Sequence, residues 1–223
     1  MDSAADHPAE DDFAARREQM VREQIAGRGI DDPAVLAAMR AVPREQFVLE
    51  PYRPYAYDDS PLPIPANQTI SQPYIVAYMI AALSLRPEHR VLEIGTGSGY
   101  AAAVLGRIVS EVYTIERHRT LADYARDRLA RLGYGNIRVL HGDGTRGLAE
   151  YAPYDAIIVA AGGPVVPESL RGQLAVGGRL VIPVGRSRHQ QYLIRVTRLV
   201  DSRYAEETLV PVAFVPLIGD EGW

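Results

Sequence analysis

The sequence predicts an α/β fold, in which a doubly wound and mostly parallel sheet carries helices on both faces. Short apolar segments of strand length recur along the middle of the chain, and segments with helical periodicity separate them. A glycine-rich turn at residues 95–99 follows the first of these strands and opens a helix. The length of 223 residues suits one such domain with extensions.

The N-terminal part is expected to hold an acidic lead and two helices. Residues 1–12 carry five acids and no arginine, so this lead is predicted to be disordered. A helix is predicted over residues 13–26, where glycines end it. A second helix is predicted over residues 32–40, with Asp31 or Asp32 as its N-cap and a proline in its first turn.

The next segment, residues 47–72, is rich in proline and tyrosine and shows no clear period. A long irregular stretch inside a domain is usually functional, so we expect it to pack over a site. A helix is predicted over residues 74–85, and Ser71 stands where its N-cap belongs. Capping alone would explain this serine.

The strands of the predicted sheet follow at regular intervals. After the strand at 91–94, parallel strands are predicted at 112–115, 137–140, 156–159 and 180–184, and two closing strands at 192–199 and 208–217. The closing strands have no helix between them, so we expect an antiparallel pair around a turn near Asp201 and Ser202. Residues 13–223 are therefore interpreted as one domain: helices and covering segment at 13–72, core at 73–200, closing strand and tail at 201–223.

Composition excludes several classes of function. A net charge of −4 without a basic cluster gives no reason to expect nucleic acid, and no apolar run is long enough for a membrane span. No export signal is recognised, so the expected location is the cytoplasm, and the expected state is a monomer. All 24 basic residues are arginine and cysteine is absent, which excludes a P-loop lysine, a Schiff-base lysine, a thiol nucleophile and disulfides. The five histidines lack metal-ligand spacing, and no metal is expected.

The glycine-rich turn indicates the cofactor. The preceding strand contains an acid, Glu93. After this strand, glycine occupies every second position, at Gly95, Gly97 and Gly99, with Thr96 and Ser98 between the glycines. A dinucleotide fingerprint would want glycine at position 100, where this chain has tyrosine. The pattern therefore favours a cofactor without a pyrophosphate, which we interpret as S-adenosylmethionine, with S-adenosylhomocysteine as product. An ordinary glycine-rich strand-to-helix turn would account for this motif alone.

Acidic residues end three consecutive strands, where ligands of open α/β sheets bind. Glu116 is placed to accept hydrogen bonds from both ribose hydroxyls, and Asp143 with Gly144 is placed to meet the adenine amino group. Glu93 is interpreted as facing the cationic methionine end. Each has a simpler explanation, namely a solvated strand end for Glu116, a turn-forming Asp-Gly for Asp143 and a cap on glycine amides for Glu93.

Several segments together resemble the protein-L-isoaspartate O-methyltransferases, which methylate isoaspartyl residues in damaged proteins. Thr-Ile-Ser-Gln-Pro at 69–73 is specific to that family, whereas the glycine motif is shared by methyltransferases at large. The other matching segments are residues 91–100, 141–144, 154–159, 177–185 and 214–217. The resemblance spans roughly residues 20 to 217.

This resemblance implies a sheet of the class I S-adenosylmethionine-dependent methyltransferase type and partners that are isoaspartyl-containing proteins and peptides. It implies that Ser71 is the active-site serine, which we expect to orient the acceptor without becoming a covalent nucleophile. The methyl ester then closes to a succinimide, whose hydrolysis partly restores aspartate. The expected substrate contacts are Thr69, Ile70, Ser71, Ala160, Ala161, Val215 and Pro216.

One departure from the family leaves alternatives open. The loop after the fourth strand carries Gly162 and Gly163, which would add backbone freedom where the substrate is expected. A relative that methylates an aspartate in one dedicated peptide would fit this feature. A cofactor-binding module without catalysis is the alternative from another class, and a small-molecule methyltransferase is disfavoured by residues 69–73.

Overall fold

A seven-stranded sheet forms the centre of the computed structural model, which describes residues 10–187 and 190–223. The strands are β1 (Leu62–Ile64), β2 (Gln68–Ile70), β3 (Arg90–Ile94), β4 (Glu111–Glu116), β5 (Ile137–His141), β6 (Tyr154–Val159), β7 (Leu174–Ser187), β8 (Gln190–Arg198) and β9 (Tyr204–Val212). The helices are α1 (Glu10–Gln19), α2 (Pro33–Ala41), α3 (Pro73–Ala82), α4 (Tyr100–Gly106), α5 (Arg119–Arg131) and α6 (Glu168–Gly172). Within these two ranges, no helix has the length and apolar character needed to cross a membrane.

The strand order of the large sheet is β5-β4-β3-β6-β7-β8-β9. The five strands β3 to β7 run parallel to one another. Strands β8 and β9 are added at one edge of the sheet, where each runs antiparallel to its neighbour. The predicted fold class is confirmed. The chain runs outward from β3 to β5 and then returns to place β6 on the other side of β3. This reversal leaves a crevice at the carboxyl ends of β3 and β6.

Both faces of the central parallel strands, β3 and β6, are buried. Neighbouring residues in β3 illustrate this, because Val91 packs into one hydrophobic cluster and Leu92 into the other. In β6, Ile158 and Ile157 divide in the same way. Burial on two faces explains why these strands read as nearly continuous apolar runs in the sequence.

The first helix begins earlier than predicted and is less regular. It starts at Glu10, so the disorder predicted for residues 10–12 is wrong, while residues 1–9 of that lead lie outside the described ranges. After α1 the chain continues as a π-helical turn, Met20–Ile25, and a 3-10 turn, Ala26–Arg28.

The second helix follows its sequence signals closely. Its N-cap is Asp32, whose Oδ1 accepts hydrogen bonds from the backbone N–H groups of Ala34 (2.9 Å) and Val35 (3.2 Å). Of the two N-cap candidates in the sequence, Asp31 and Asp32, the structure therefore selects Asp32. The helix then buries Val35 and Met39 against the core.

The proline- and tyrosine-rich segment is ordered but contains structure that the sequence pattern does not predict. Strands β1 and β2 pair antiparallel, with Leu62 opposite Ile70. In the turn between them, Ala66 and Asn67 have φ angles of 60° and 56°, typical of tight hairpins. Each strand has only three residues, too few to show an alternating pattern.

The predicted closing pair is confirmed, with a shift in its second strand. Strands β8 and β9 pair antiparallel around a 3-10 turn at Val200–Ser202. Strand β9 spans Tyr204–Val212, whereas the predicted strand was 208–217. Residues 214–217 leave the sheet because their backbone groups bond to Gly162 and Gln191 instead.

The N-cap of α2 provides a test of the local fold. Changing Asp32 to alanine removes an acceptor for two backbone N–H groups and should lower the free energy of unfolding by about 1 kcal/mol. Urea titration measures this difference. Asp31→Ala is the matched control, because Asp31 is exposed and is not the N-cap, and it should be nearly neutral. Equal losses in the two variants would contradict the assignment.

Candidate cofactor and acceptor site

A crevice that is partly open to solvent lies at the carboxyl ends of β3, β4 and β6. It brings together most of the residues that the sequence nominated: Thr69, Ile70, Ser71, Glu93, Gly95, Thr96, Gly97, Ser98, Glu116, Ala160, Ala161, Val215 and Pro216. Gly99, Asp143 and Gly144 do not line it. The sequence therefore predicted the position of the crevice, although three nominated residues lie outside its wall.

The glycine loop needs glycine for conformation and for space. Gly95, Gly97 and Gly99 have φ angles of 92°, 53° and 88°, in the left-handed region that other residues rarely adopt. A side chain at Gly97 would contact Ile64 in β1, and one at Gly99 would contact Leu129 in α5. Gly95 and Gly97 thus leave bare backbone at the crevice, whereas Gly99 allows α5 to pack closely against the start of α4.

Glu93 is a buried carboxylic acid with one oxygen unused. Its side chain lies in the wall of the crevice and is 1 % exposed. Its Oε2 accepts a hydrogen bond from the hydroxyl of Thr114, which in turn lies 2.6 Å from the hydroxyl of Thr96. Its Oε1 has no hydrogen-bond partner within the described residues. A buried polar atom without a partner is rare, so this oxygen is available for a donor on a ligand.

Burial raises the pKa of Glu93 to about 8, and the nearby Glu116 raises it as well, while the Thr114 hydroxyl opposes both. A cation placed against Oε1 would favour the ionised form. The alternative that Glu93 caps glycine amides is not observed, because the N–H of Gly97 bonds to Glu116.

Glu116 ties the end of β4 to the glycine loop. Its Oε2 accepts from the N–H of Gly97 and its Oε1 from the N–H of His118, both at 2.9 Å. The residue is only 4 % exposed, so the simpler interpretation of Glu116 as a solvated strand end is wrong. Each carboxylate oxygen accepts only one hydrogen bond within the described residues and retains a lone pair for a further donor.

Asp143 forms the turn that its sequence context indicated and also holds the C-terminal segment. Oδ1 accepts from the N–H (2.9 Å) and hydroxyl (2.8 Å) of Thr145, and Oδ2 accepts from the N–H of Asp220 (2.9 Å). Burial raises the pKa of Asp143, but these hydrogen bonds outweigh it and the pKa is lowered. Gly144 leaves no room for a side chain, which would overlap Ile94.

Ser71 stands at the junction of the crevice with a neighbouring groove. The N-cap of α3 is Gln72 rather than Ser71, so capping does not explain the serine. The groove is lined by Thr69, Ser71 and Ala160 together with residues 210–215 at the end of β9. Both spaces are lined by Thr69, Ser71, Ala160, Phe214 and Val215. The serine therefore lies where the crevice and the groove meet.

The Gly162–Gly163 loop is held in place, and the added freedom expected from the sequence is wrong. The N–H of Gly162 donates to Val215 (2.8 Å), its carbonyl accepts from Leu217 (2.8 Å), and the N–H of Gly163 donates to Pro183 (3.0 Å). A side chain at Gly162 would overlap the amide of Gln191. The glycine is explained by close packing.

Two buried polar residues that support the site were missed by the sequence interpretation. Gln191 is 2 % exposed, and its amide bonds to both the N–H (2.8 Å) and the carbonyl (3.3 Å) of Phe214. Arg44 is fully buried and donates to the carbonyl of Ser71 at 2.8 Å. A polar residue at the start of an apolar strand was the available signal for Gln191, and none marked Arg44. Within the described ranges, no cluster of three or more His, Asp or Glu side chains could hold a metal ion.

Known proteins share this fold and sequence along nearly the whole chain. The family model for protein-L-isoaspartate(D-aspartate) O-methyltransferase matches residues 15–222. Protein-L-isoaspartate O-methyltransferase 2 of Pelobacter propionicus is 64% identical over 208 residues, which cover 93% of this chain and 92% of the relative. Protein-L-isoaspartate O-methyltransferase 1 of Rhodopseudomonas palustris strain HaA2 is 62% identical over 219 residues, covering 97% and 89%.

Solved structures agree with the sequence comparison. A protein-L-isoaspartate O-methyltransferase superposes with a TM-score of 0.84 at 30% identity, covering 92% of this chain and 67% of that one. A protein from Plasmodium falciparum, described as a putative protein-L-isoaspartate O-methyltransferase in complex with S-adenosyl-L-homocysteine, gives 0.79 at 27% identity and covers 91% and 98%.

The sheet, with a glycine loop and acids at its switch point, is that of a Rossmann-like methyltransferase. The extent of the matches then settles the family. The chain belongs to the protein-L-isoaspartate(D-aspartate) O-methyltransferases.

The raised pKa of Glu93 predicts a specific pH dependence. The folded, ligand-free protein holds a proton on Glu93 up to about pH 8, whereas the unfolded chain loses it near 4.5. The free energy of unfolding should therefore fall as pH rises between these values, because the unfolded state binds fewer protons there. Glu93→Gln should remove this part of the fall, measured by urea titration at pH 5.5 and 8.5. The exposed Glu150→Gln is the control and should keep the wild-type slope.

Packing at Gly162 gives a second test in this site. Gly162→Ala should lower the free energy of unfolding by about 1–3 kcal/mol, because the new methyl group overlaps Gln191. Adding Gln191→Ala should recover part of that loss through a coupling of about 0.5–3 kcal/mol. Gly172→Ala is the control, since nothing lies near its added carbon. If Gly162→Ala were as harmless as Gly172→Ala, the packing explanation would fail.

Proposed function

We propose that this chain transfers a methyl group from S-adenosylmethionine to the free α-carboxylate of L-isoaspartyl residues in damaged proteins and peptides, which starts repair through a succinimide. The observation that carries the proposal is the position of Ser71. It lies in the family element Thr-Ile-Ser-Gln-Pro, between the crevice suited to the cofactor and a groove suited to a peptide. Membership of the family supports the same activity.

The residues of the crevice fit the cofactor. Glu93 would receive the ammonium group on its unused Oε1, and Glu116 the ribose hydroxyls. The bare backbone of Gly95 and Gly97 would allow close approach. When bound, the cofactor supplies a methyl group already activated by its sulfonium. Asp143 and Gly144 are proposed for the adenine end on the sequence pattern, although they do not line the crevice.

The acceptor needs positioning rather than activation. A carboxyl group with a pKa of roughly 4 is ionised at neutral pH, so a general base is not required. We propose that the Ser71 hydroxyl donates a hydrogen bond to this carboxylate, and that Thr69, Ile70, Ala160, Ala161, Val215 and Pro216 hold the peptide through their backbone groups and exclude water. Correct orientation of two reactants can lower the barrier by about 7–11 kcal/mol.

The alternative of a dedicated peptide substrate loses its support in this chain. It depended on the Gly162–Gly163 loop, whose glycine at 162 is accounted for by the packing of Gln191. Contacts made mainly through backbone groups suit an enzyme that must accept many flanking sequences. Two narrower statements, a cytoplasmic location and a monomeric state, remain predictions from the sequence.

Paired peptides test the proposal. One peptide carries L-isoaspartate and the other aspartate at the same position, and transfer of labelled methyl groups is counted for both. We expect transfer to the isoaspartyl peptide only. Ser71→Ala should lower kcat about a hundredfold, the effect of removing one oriented donor, while the Kd of S-adenosylhomocysteine stays unchanged.

Ser110→Ala is the control for the serine, because within the described part of the chain that hydroxyl is exposed and donates only to the carbonyls of Glu88 and His89. It should keep wild-type kinetics. Equal methylation of both peptides would overturn the repair function. Full turnover by Ser71→Ala would instead remove the serine from the mechanism and leave the function standing.

A further inference from the structure

We propose that Arg44 is a positioning residue for methyl transfer: its buried guanidinium fixes the backbone of Ser71 and so aims the serine hydroxyl at the acceptor carboxylate. The inference rests on the proposed function of Ser71. It assigns a role to a residue that lies outside the walls of both the crevice and the groove.

Arg44 joins three segments that meet behind the acceptor side of the site. It lies in the 3-10 turn Arg44–Gln46 and is fully buried. Its Nε donates to the carbonyl of Ala56 and its Nη2 to the carbonyl of Ser71, both at 2.8 Å. Its guanidinium carbon lies 4.8 Å from the ring centre of Tyr100, the first residue of α4. One side chain therefore links the covering segment, the serine and the end of the glycine loop.

The geometry of the guanidinium suits this role. Ser71 lies in the short connection between β2 and α3, where the serine carbonyl is outside any strand or helix ladder. A planar, charged donor fixes the orientation of such a carbonyl more firmly than a flexible neutral one. Because the hydroxyl and the carbonyl belong to the same residue, a rotation of this peptide moves the hydroxyl. Misplacement by about 1 Å can cost a hundredfold in rate.

The charge of Arg44 is not balanced by an ion pair. Within the described ranges no carboxylate bridges to it, and the adjacent Glu45 instead accepts from the hydroxyl of Tyr57 and lies 3.8 Å from Arg17. Its Nη1 has no hydrogen-bond partner within those ranges. A buried cation without an ion-pair partner is unfavourable for folding, and here only two carbonyls and the face of the Tyr100 ring stabilise it. A neutral donor could link the same two carbonyls, so the two hydrogen bonds alone do not explain the charge of this side chain.

Three substitutions separate geometry from charge. Arg44→Met removes both, Arg44→Gln keeps donors without charge, and Arg44→Lys keeps the charge without the planar fork. With the isoaspartyl peptide as acceptor, we expect kcat/KM to fall about 10- to 100-fold for Arg44→Met. Arg44→Lys should recover part of this loss and Arg44→Gln less. The Kd of S-adenosylhomocysteine, measured by calorimetry, should stay within about threefold, which also shows that each variant is folded.

A second buried arginine provides the matched control. Arg128 is 4 % exposed, donates to the carbonyl of Ser98 in the glycine loop at 2.9 Å and lies over the ring of Tyr124. Arg128→Met should therefore weaken binding of S-adenosylhomocysteine more than it raises the KM of the peptide. Arg44→Met should instead raise the KM of the peptide more than it weakens binding of S-adenosylhomocysteine. Direct titration of the peptide into protein saturated with S-adenosylhomocysteine gives a readout that does not depend on turnover.

The outcomes are distinct. If the wild type fails to methylate the isoaspartyl peptide, the proposed function and this inference both fall. If the wild type is active and Arg44→Met keeps kcat and KM within twofold, only the role of Arg44 is overturned. The same holds if all three variants lose cofactor and peptide binding in equal proportion, since that is the pattern of a merely structural residue.

Discussion

The reversal of strand order between β3 and β6 is the constraint on which the rest of the site depends. Parallel neighbours end at the same edge of a sheet, so the groups after β3, β4 and β6 meet without any long connection. The reversal keeps the helices after β3 and β6 from closing over that edge. Segments remote in sequence, namely residues 68–71 and 214–218, then cover the opening.

Buried polar side chains fix the irregular segments around this opening. Arg44 holds the carbonyl of Ser71, Arg128 that of Ser98, Gln191 both backbone groups of Phe214, and Glu116 the N–H of Gly97. Backbone groups inside a protein must be paired, and these segments lack a strand or helix to pair them. The buried polar residues thus replace secondary structure where the site requires an irregular backbone.

This arrangement explains what the sequence could and could not predict. The strands of the core and the cap at Asp32 were predictable because apolar runs and capping residues act locally. The segments that follow the strands could be placed around the crevice because ligands of open α/β sheets bind at the carboxyl ends of the strands. The hairpin of β1 and β2 was not predictable, since three-residue strands carry no period.

The contacts of Gly162 and Arg44 could not be predicted from the sequence either, for a different reason. Their partners, Gln191 and Ser71, are 29 and 27 positions away in the chain and are brought near only by the fold. A glycine in a loop signals freedom when its neighbours are unknown and close packing once they are known. A loop glycine in the sequence is therefore compatible with either backbone freedom or close packing, and only the tertiary structure decides between the two.

The distribution of buried charge gives the crevice a direction. At the end that fits the cofactor, Glu93 and Glu116 are both buried, and their mutual repulsion contributes to the raised pKa of Glu93. Behind the acceptor end, Arg44 carries a positive charge without an ion-pair partner within the described ranges. Methyl transfer from a sulfonium to a carboxylate brings a cationic donor and an anionic acceptor together. Under the proposed function, the cationic donor lies beside Glu116 and Glu93 and favours the ionised form of Glu93, whereas the anionic acceptor lies on the side of Ser71 behind which Arg44 is buried.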